Sequence, residues 1–392
     1  MAGVAVNPAV LEWARVERGL NPTEAAKRIG VSVQEIAALE SGAETSSLGQ
    51  LRNIAKAYKI SFASLLMPEP LPASTRPEIE DFRFRTFKSE PTDRTFELNL
   101  AIEGVFEQIE ILSQLKQAAP DIFLELDVPQ ITLEDDVEEV ASAERRRLGI
   151  TQDVQFQWTR PKQSFETLRS VIECQGTFVF QKKLGTPKAV RGFSILDDRA
   201  VAVAVVNQEE GEYGPKNFTL LHEYAHLLLR RTGISDENPE IGIERFCNQF
   251  AAFFLMPRQT FVRVARDADP SGTWADRELG RVATVFNVSL SAVAIHLEDM
   301  GLAAPGLYEA KLAAWSRRNI PERRGGFATW PEKWLNRLGV HTTQVVLDAL
   351  ERKEINQIEA FEILDVRPKF FDQLYNEMNQ RIAEYGGVAR EQ

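Results

Sequence analysis

Residues 219–229 read TLLHEYAHLLL and carry His222, Glu223 and His226 in the order H-E-x-x-H. Side chains four apart share one face of an α-helix, so two imidazoles can converge on one metal ion with the carboxylate between them close by. Leu220, Leu221, Ala225, Leu227, Leu228 and Leu229 make both flanks apolar, as a buried helix requires and a surface helix would not. The chain has four histidines, and two of them fall in this short stretch. Residue frequencies give about 0.003 chance occurrences of such a pattern over this length, which ranks it above any other motif here. A Glu buried beside two imidazoles is costly without a compensating ion, which argues against a merely structural helix.

A zinc site that catalyses needs three protein ligands and an open position. The stretch GIERFCNQFAAFFLMP, residues 242–257, offers the third. Glu244 stands one turn before Asn248 on a helix anchored by Phe250, Ala251, Phe253, Phe254 and Leu255. Against Asp236, Glu237 and Glu240, the buried helical setting favours Glu244. Asn248 is expected to hydrogen-bond a ligating histidine and fix its tautomer. One Zn2+ per chain, held by His222, His226 and Glu244, would supply an acidified water near neutral pH. Glu223 would then act as general base. An oxyanion needs a further donor, for which His296, Tyr213 and Arg281 are the candidates, and His296 is carried forward as catalytic. His296 sits in SLSAVAIHLEDMG, a helix-like setting where a histidine is more often structural.

Composition bounds the rest. A chain of 392 residues has length for two or three domains with a proper core. It contains no apolar run near twenty residues, so no membrane partner is expected. MAGVAVNPAVLEWAR lacks the basic start, apolar block and cleavage site of a secretory leader. The two cysteines, Cys174 and Cys247, lie far apart and suit a reducing cytoplasm, and Cys247 reads as a core residue. The net charge of −11 disfavours a surface that coats nucleic acid or anionic lipid throughout.

Ahead of this core, VLEWARVERGL, TEAAKRIG, SVQEIAALESG and SLGQLRNIAKAYKI read as four short helices. Pro22 sits in a first turn, Gly30 closes the second helix and Ser32 caps the third. Two short helices around a three-residue turn suggest a helix-turn-helix. On the residues Ala25-Ala26, Gly30-Val31-Ser32, Ile36, Leu39-Glu40, Gly42, Leu51 and Ala55, this part resembles the XRE family of DNA-binding domains. Gln34 is the side chain there able to make a bidentate contact with adenine. Lys27 and Arg28, with Arg52, Lys56 and Lys59, are placed to meet phosphates. Residues 1–71 hold seven Lys and Arg against seven Asp and Glu, so a protein-interaction domain of the same fold is the other reading.

PEPLPASTRPEIEDFRFRT has linker composition. TFELNLAIEGVFEQIEILSQL, LEDDVEEVASAERRRLGI and SFETLRSVIECQG then read as helices, and TFVFQKKL, AVRGFSI and AVAVAVV as strands. An edge strand could bind substrate backbone, although the alternating AVAVAVV is more simply a core strand. PERRGGFATWPEKW reads as a flexible join, followed by helical TTQVVLDALERKEI and NQIEAFEILDVRPKFFDQLYNEM, expected to pack or dimerise.

Val190-Arg191-Gly192-Phe193, Asp197-Asp198-Arg199, LLHEYAHLLL and IERFCNQFAAFFLMP together resemble the ImmA/IrrE family of metallopeptidases. WADRELGRVATVFNVSLSAVAIHLEDMGL is similar to the helical portion that follows the family's core, with His296-Leu297 where relatives usually show Arg-Leu. The resemblance implies the ligands His222, His226 and Glu244 and the base Glu223. It also implies a regulatory endopeptidase that cuts a repressor or antitoxin-like protein. The other function carried is a DNA-binding transcriptional regulator whose peptidase-like domain senses a ligand or metal without cleaving. The expected fold is multidomain, mainly α with a small sheet. Its parts are an N-terminal all-α helix-turn-helix (1–72), a linker (73–90), a central α+β zincin-like peptidase core (91–265), a helix-turn-helix-like extension (266–305) and a C-terminal helical region (306–392). A homodimer is in keeping with the N-terminal domain type.

Overall fold

The computed structural model describes residues 6–70, 95–186, 190–230, 239–269, 272–317 and 329–385. The linker expected at 73–90 lies outside them, as does 321–328 of the join before the last helices. Described residues through Phe106 form one compact unit, and those from Glu107 onward form a second.

In the first unit the polar residues between apolar stretches are caps. Helices α1 (Pro8–Glu17), α2 (Pro22–Ile29), α3 (Val33–Glu40) and α4 (Leu48–Tyr58) follow one another. Asn21 with Glu24, Ser32 with Glu35 and Ser47 with Gln50 each close a capping box, which satisfies the first free N–H groups of three successive helices. Gly30 turns α2 into α3 at φ 83°, a conformation that a side chain would strain. Leu11, Ala14, Leu20, Ala25, Leu39, Leu51, Ile54 and Tyr58 are buried together beneath the turn. A partly buried Arg15–Glu40 ion pair of 2.7 Å joins α1 to α3. Helix α5 (Phe96–Ala118) begins in this unit, where Arg18 pairs with Glu103, and continues into the second.

The second unit is built on three strands, β1 (Thr177–Lys182), β2 (Gly192–Leu196) and β3 (Ala202–Asn207), in the order β1-β3-β2. Strand β3 pairs parallel with β1 and antiparallel with β2. It is buried along its whole length, so AVAVAVV is the central strand and the edges fall to β1 and β2. Helices α6 (Val137–Arg147), α7 (Gln152–Phe156), α8 (Pro161–Glu173), α9 (Tyr213–Leu229) and α10 (Pro239–Leu255) follow in chain order around it. Leu220, Leu221, Leu228, Phe250, Phe254 and Val206 share one core with much of this unit.

Helix α11 (Arg258–Ala268) leads to α12 (Asp276–Phe286) and α13 (Leu290–Asp299), bent 96° from one another. Asn287 takes the left-handed conformation at φ 53° and Ser289 caps α13, which repeats the turn geometry of Gly30 and Ser32. The repetition stops at the surface: Ala292, Val293, Ala294 and Leu297 are buried, so α13 is a core helix. No single helix among the described residues is long and apolar enough to cross a membrane.

After α14 (Leu307–Ser316), helix α15 (Trp330–Glu351) is interrupted at Gly339, with φ 88° and ψ 167°. A Cβ there would strike the carboxylate of Glu173. That carboxylate accepts from Val340 N at 3.2 Å and His341 N at 3.3 Å, donors released by the break. Arg169 bonds Glu173 at 3.0 Å, Asn336 O at 3.0 Å and Val179 O, so one buried pair holds α8, β1 and α15 together. Helices α16 (Gln357–Ile363) and α17 (Phe371–Tyr385) complete the described chain.

Candidate metal centre

Helix α9 carries His222 and Glu223 with both side chains fully buried, and His226 almost so. A helix this buried must satisfy its polar groups internally, and its far face does so. Tyr224 donates to Glu144 at 2.9 Å, and Arg147 donates to the Tyr224 hydroxyl at 2.6 Å, tying α9 to α6. Asn217 bonds Ser164 Oγ at 2.6 Å and Asn287 O at 2.9 Å, tying it to α8 and α12. Helix α10 lies against α9, its terminal carbonyls taken by Arg145 at Phe254 O (2.5 Å) and Gln155 at Leu255 O (2.7 Å).

These constraints bring Glu244 of α10 to the paired histidines. Glu244 Oε2 lies 3.3 Å from His222 Nε2 and Oε1 lies 3.2 Å from His226 Nε2. The two Nε2 atoms are 3.1 Å apart. All three ligand-type atoms fall within 4.8 Å of one another, with the Glu244 side chain about one-third exposed. A tetrahedral zinc with bonds of about 2.1 Å separates neighbouring ligand atoms by about 3.4 Å, so the donor set fits such an ion. Burial would raise the Glu244 carboxyl, but hydrogen bonds from His222 and His226 outweigh it and hold the carboxyl well below the usual range. It therefore presents a carboxylate at neutral pH. Asp236 and Glu237 lie outside the described residues, as does the side chain of Glu240.

Asn248, one turn after Glu244, accepts from His222 Nδ1 at 3.1 Å through Oδ1. With Nδ1 protonated toward Asn248, Nε2 would offer its lone pair to an ion, taking the place of its hydrogen bond to Glu244. Asn248→Ala is expected to weaken metal affinity about 10–100-fold while leaving the fold intact, measured by competition with a chelator.

Sequence reasoning gave Gly192 no role beyond its place in a resemblance. In the structure it is the point where β2 meets Glu223. A Cβ at Gly192 would stand 2.7 Å from Val205 O, 2.8 Å from Glu223 Oε1 and 2.8 Å from Thr219 Cγ2. The signal was a glycine inside a strand pattern, which often marks a close approach. Next to it, Arg191 pairs with buried Glu210 at 2.7 Å, and Thr219 donates to Glu210 at 3.2 Å, pinning the start of β2 to α9. Gly192→Ala is expected to cost about 1–3 kcal/mol of stability by overpacking. Urea denaturation measures this loss.

The catalytic expectation for His296 is corrected. Its ring is almost wholly buried, lies edge-on to Phe261 at 4.5 Å and Phe253 at 5.3 Å, and its Nε2 bonds Met256 O at 3.0 Å. Burial pushes its pKa down to about 4, so it is a neutral core histidine holding the end of α10. Tyr213 begins α9, nine residues before His222 or about 13 Å along the axis, and packs on Phe165. Arg281 is exposed on α12. Cys247 is fully buried in the core.

In the first unit, Val33, Gln34 and Ala37 are exposed on α3, and Lys27 is exposed on α2. Arg28, expected at phosphates, is exposed as well and has partners on the surface of this unit. It donates to Glu97 at 2.6 Å and stacks 3.7 Å above the Phe96 ring.

A helix-turn-helix unit, followed in the chain by a unit whose His222, His226 and Glu244 could hold a metal ion, is thus what the two folds define. Residues 173–298 match the family model of the IrrE N-terminal-like peptidase domain, and residues 11–65 match that of a helix-turn-helix domain. No curated protein matches the chain.

Proposed function

We propose that the chain is a zinc-dependent endopeptidase tied to transcriptional regulation, and that its substrate is a repressor or antitoxin-like protein. One observation carries the reading: two imidazoles and a carboxylate converge from two helices, with Glu223 beside β2 on the helix that bears the histidines. The family match over 173–298 supports it.

The residues divide the work as follows. His222, His226 and Glu244 would hold one Zn2+, which when bound supplies a Lewis acid and an acidified water. Glu223 takes a proton from the attacking water and returns it to the leaving amine. Asn248 fixes the tautomer of His222 through the bond described above. Strand β2, an edge of the sheet, offers backbone groups to an extended peptide by strand addition. The buried wall of α9 and β2 keeps Glu223 out of bulk water, which strengthens its interactions with the reacting groups.

The helix-turn-helix unit is assigned to DNA, with Gln34 at a base edge and Lys27 at a phosphate. That assignment favours dimers on palindromic sites. Neither cysteine forms a disulfide, in keeping with a cytoplasmic setting.

The test compares metal-loaded wild type with Glu223→Gln during co-expression with repressor candidates. Wild type is expected to cleave one candidate, and Glu223→Gln to slow cleavage about 10²–10⁴-fold. Equal processing by both proteins refutes the peptidase reading. Intact substrate with both transfers the weight to a regulator that senses without cutting.

A further inference from the structure

Helix α3 buries Ile36 and Leu39, which leaves Val33, Gln34 and Ala37 exposed on its opposite side and Ala38 half-buried beside them. Val33 keeps 39% of its surface exposed. Both acidic residues of α3 are engaged within the unit. Glu35 accepts from Ser32 N at 2.7 Å and from Ser32 Oγ at 2.8 Å, which closes the capping box. Glu40 is held by Arg15 through both carboxylate oxygens, at 2.7 and 2.9 Å. The helix, VQEIAALE, contains no lysine or arginine. Its outward face is therefore uncharged, with one amide side chain set among apolar ones.

Resting on the assignment of this unit to DNA, we propose that α3 selects duplexes with neighbouring A·T pairs in the major groove. Gln34 takes the N6 and N7 edge of one adenine, and Val33 and Ala37 pack on the C5 methyl groups of adjacent thymines. In that groove guanine is read by arginine or lysine, cytosine by a carboxylate, adenine by an amide side chain and the thymine methyl by apolar contact. Helix α3 has no side chain for guanine, and its two carboxylates are held by Ser32 and Arg15. The readers of adenine and thymine are the ones it exposes. Their position suits the task, because a recognition helix meets base edges with its N-terminal residues. Val33 and Gln34 open α3, and Ala37 follows one turn after Val33. An uncharged face releases no counterions, so α3 contributes sequence reading, and the salt-dependent part of binding falls to lysines such as exposed Lys27.

The experiment selects duplexes from a random-sequence pool with the full chain, then measures affinity for the enriched duplex by fluorescence anisotropy at several salt concentrations. Enriched half-sites are expected to carry A·T pairs at adjacent positions. Replacing their thymines with uracil removes only the methyl groups, and should weaken binding at least about 4-fold, the share of one buried methyl. Val33→Ser should reduce that penalty. Gln34→Arg should change the base selected at one position from adenine to guanine, a gain that misfolding cannot imitate. Four results overturn the proposal while leaving DNA binding intact: half-sites of G·C pairs, full affinity for uracil duplexes, an undiminished uracil penalty in Val33→Ser, or an unchanged base preference in Gln34→Arg. Absence of salt-dependent binding to any duplex overturns it together with the DNA assignment.

Discussion

Glu244→Ala is expected to lower zinc affinity at least about 100-fold, more than loss of an outer partner costs, because it removes one of three ligands outright. Glu223→Gln should leave affinity within about 3-fold of wild type, since Glu223 is assigned to proton transfer and not to the ion. The contrast separates two carboxylates that are otherwise easy to confuse. Glu244 reaches both imidazoles at 3.2 and 3.3 Å from a neighbouring helix, whereas Glu223 points toward Gly192 and Thr219 from the same helix as the histidines. Competition titration with a zinc chelator on the purified full chain reads both values. Retained affinity in Glu244→Ala would mean that another acid completes the site, and comparable losses in both variants would assign Glu223 to the metal. The two histidines should keep their edge-on arrangement and spacing in either variant, because α9 is held from its far side by Glu144, Arg147 and Ser164.

The second large effect is on stability. Glu173→Ala strands Arg169 in the interior and leaves the N–H groups of Val340 and His341 without their acceptor. Breaking a buried ion pair on one side typically costs about 3–5 kcal/mol. Burial raises the Glu173 carboxyl even though Arg169 favours its charged form, so the pair is held against a desolvation cost. Arg169→Met combined with Glu173→Ala should be less damaging than the sum of the single changes, by about 0.5–3 kcal/mol, since neither charge is then left alone. Urea denaturation of the three variants gives the coupling directly, and strict additivity would deny the pair its structural role. The break in α15 at Gly339 makes the same point geometrically: a side chain there would occupy the space of the Glu173 carboxylate.

Much of this was written into local sequence. His222 and His226 share a face because helix geometry alone puts residues four apart together. Ser32 announced a helix start because capping is decided within four residues. The alternation of AVAVAVV announced a strand, and its complete burial follows from its place between two others. What sequence left open were matters of distance between elements. Nothing local says that β2 approaches Glu223 through Gly192, or that Arg28 spends its charge on Glu97. The identity of His296 as a core histidine also needed the third dimension, because a lone imidazole on an apolar helix reads the same whether its partner is a carbonyl or a substrate. The chain by itself determined many of its helices and which residue types could meet a metal, since propensity, capping and periodicity act over a few residues. Only the tertiary structure decided which carboxylate faces the histidines and which buried charges pair with one another, because those depend on packing between segments far apart in the chain.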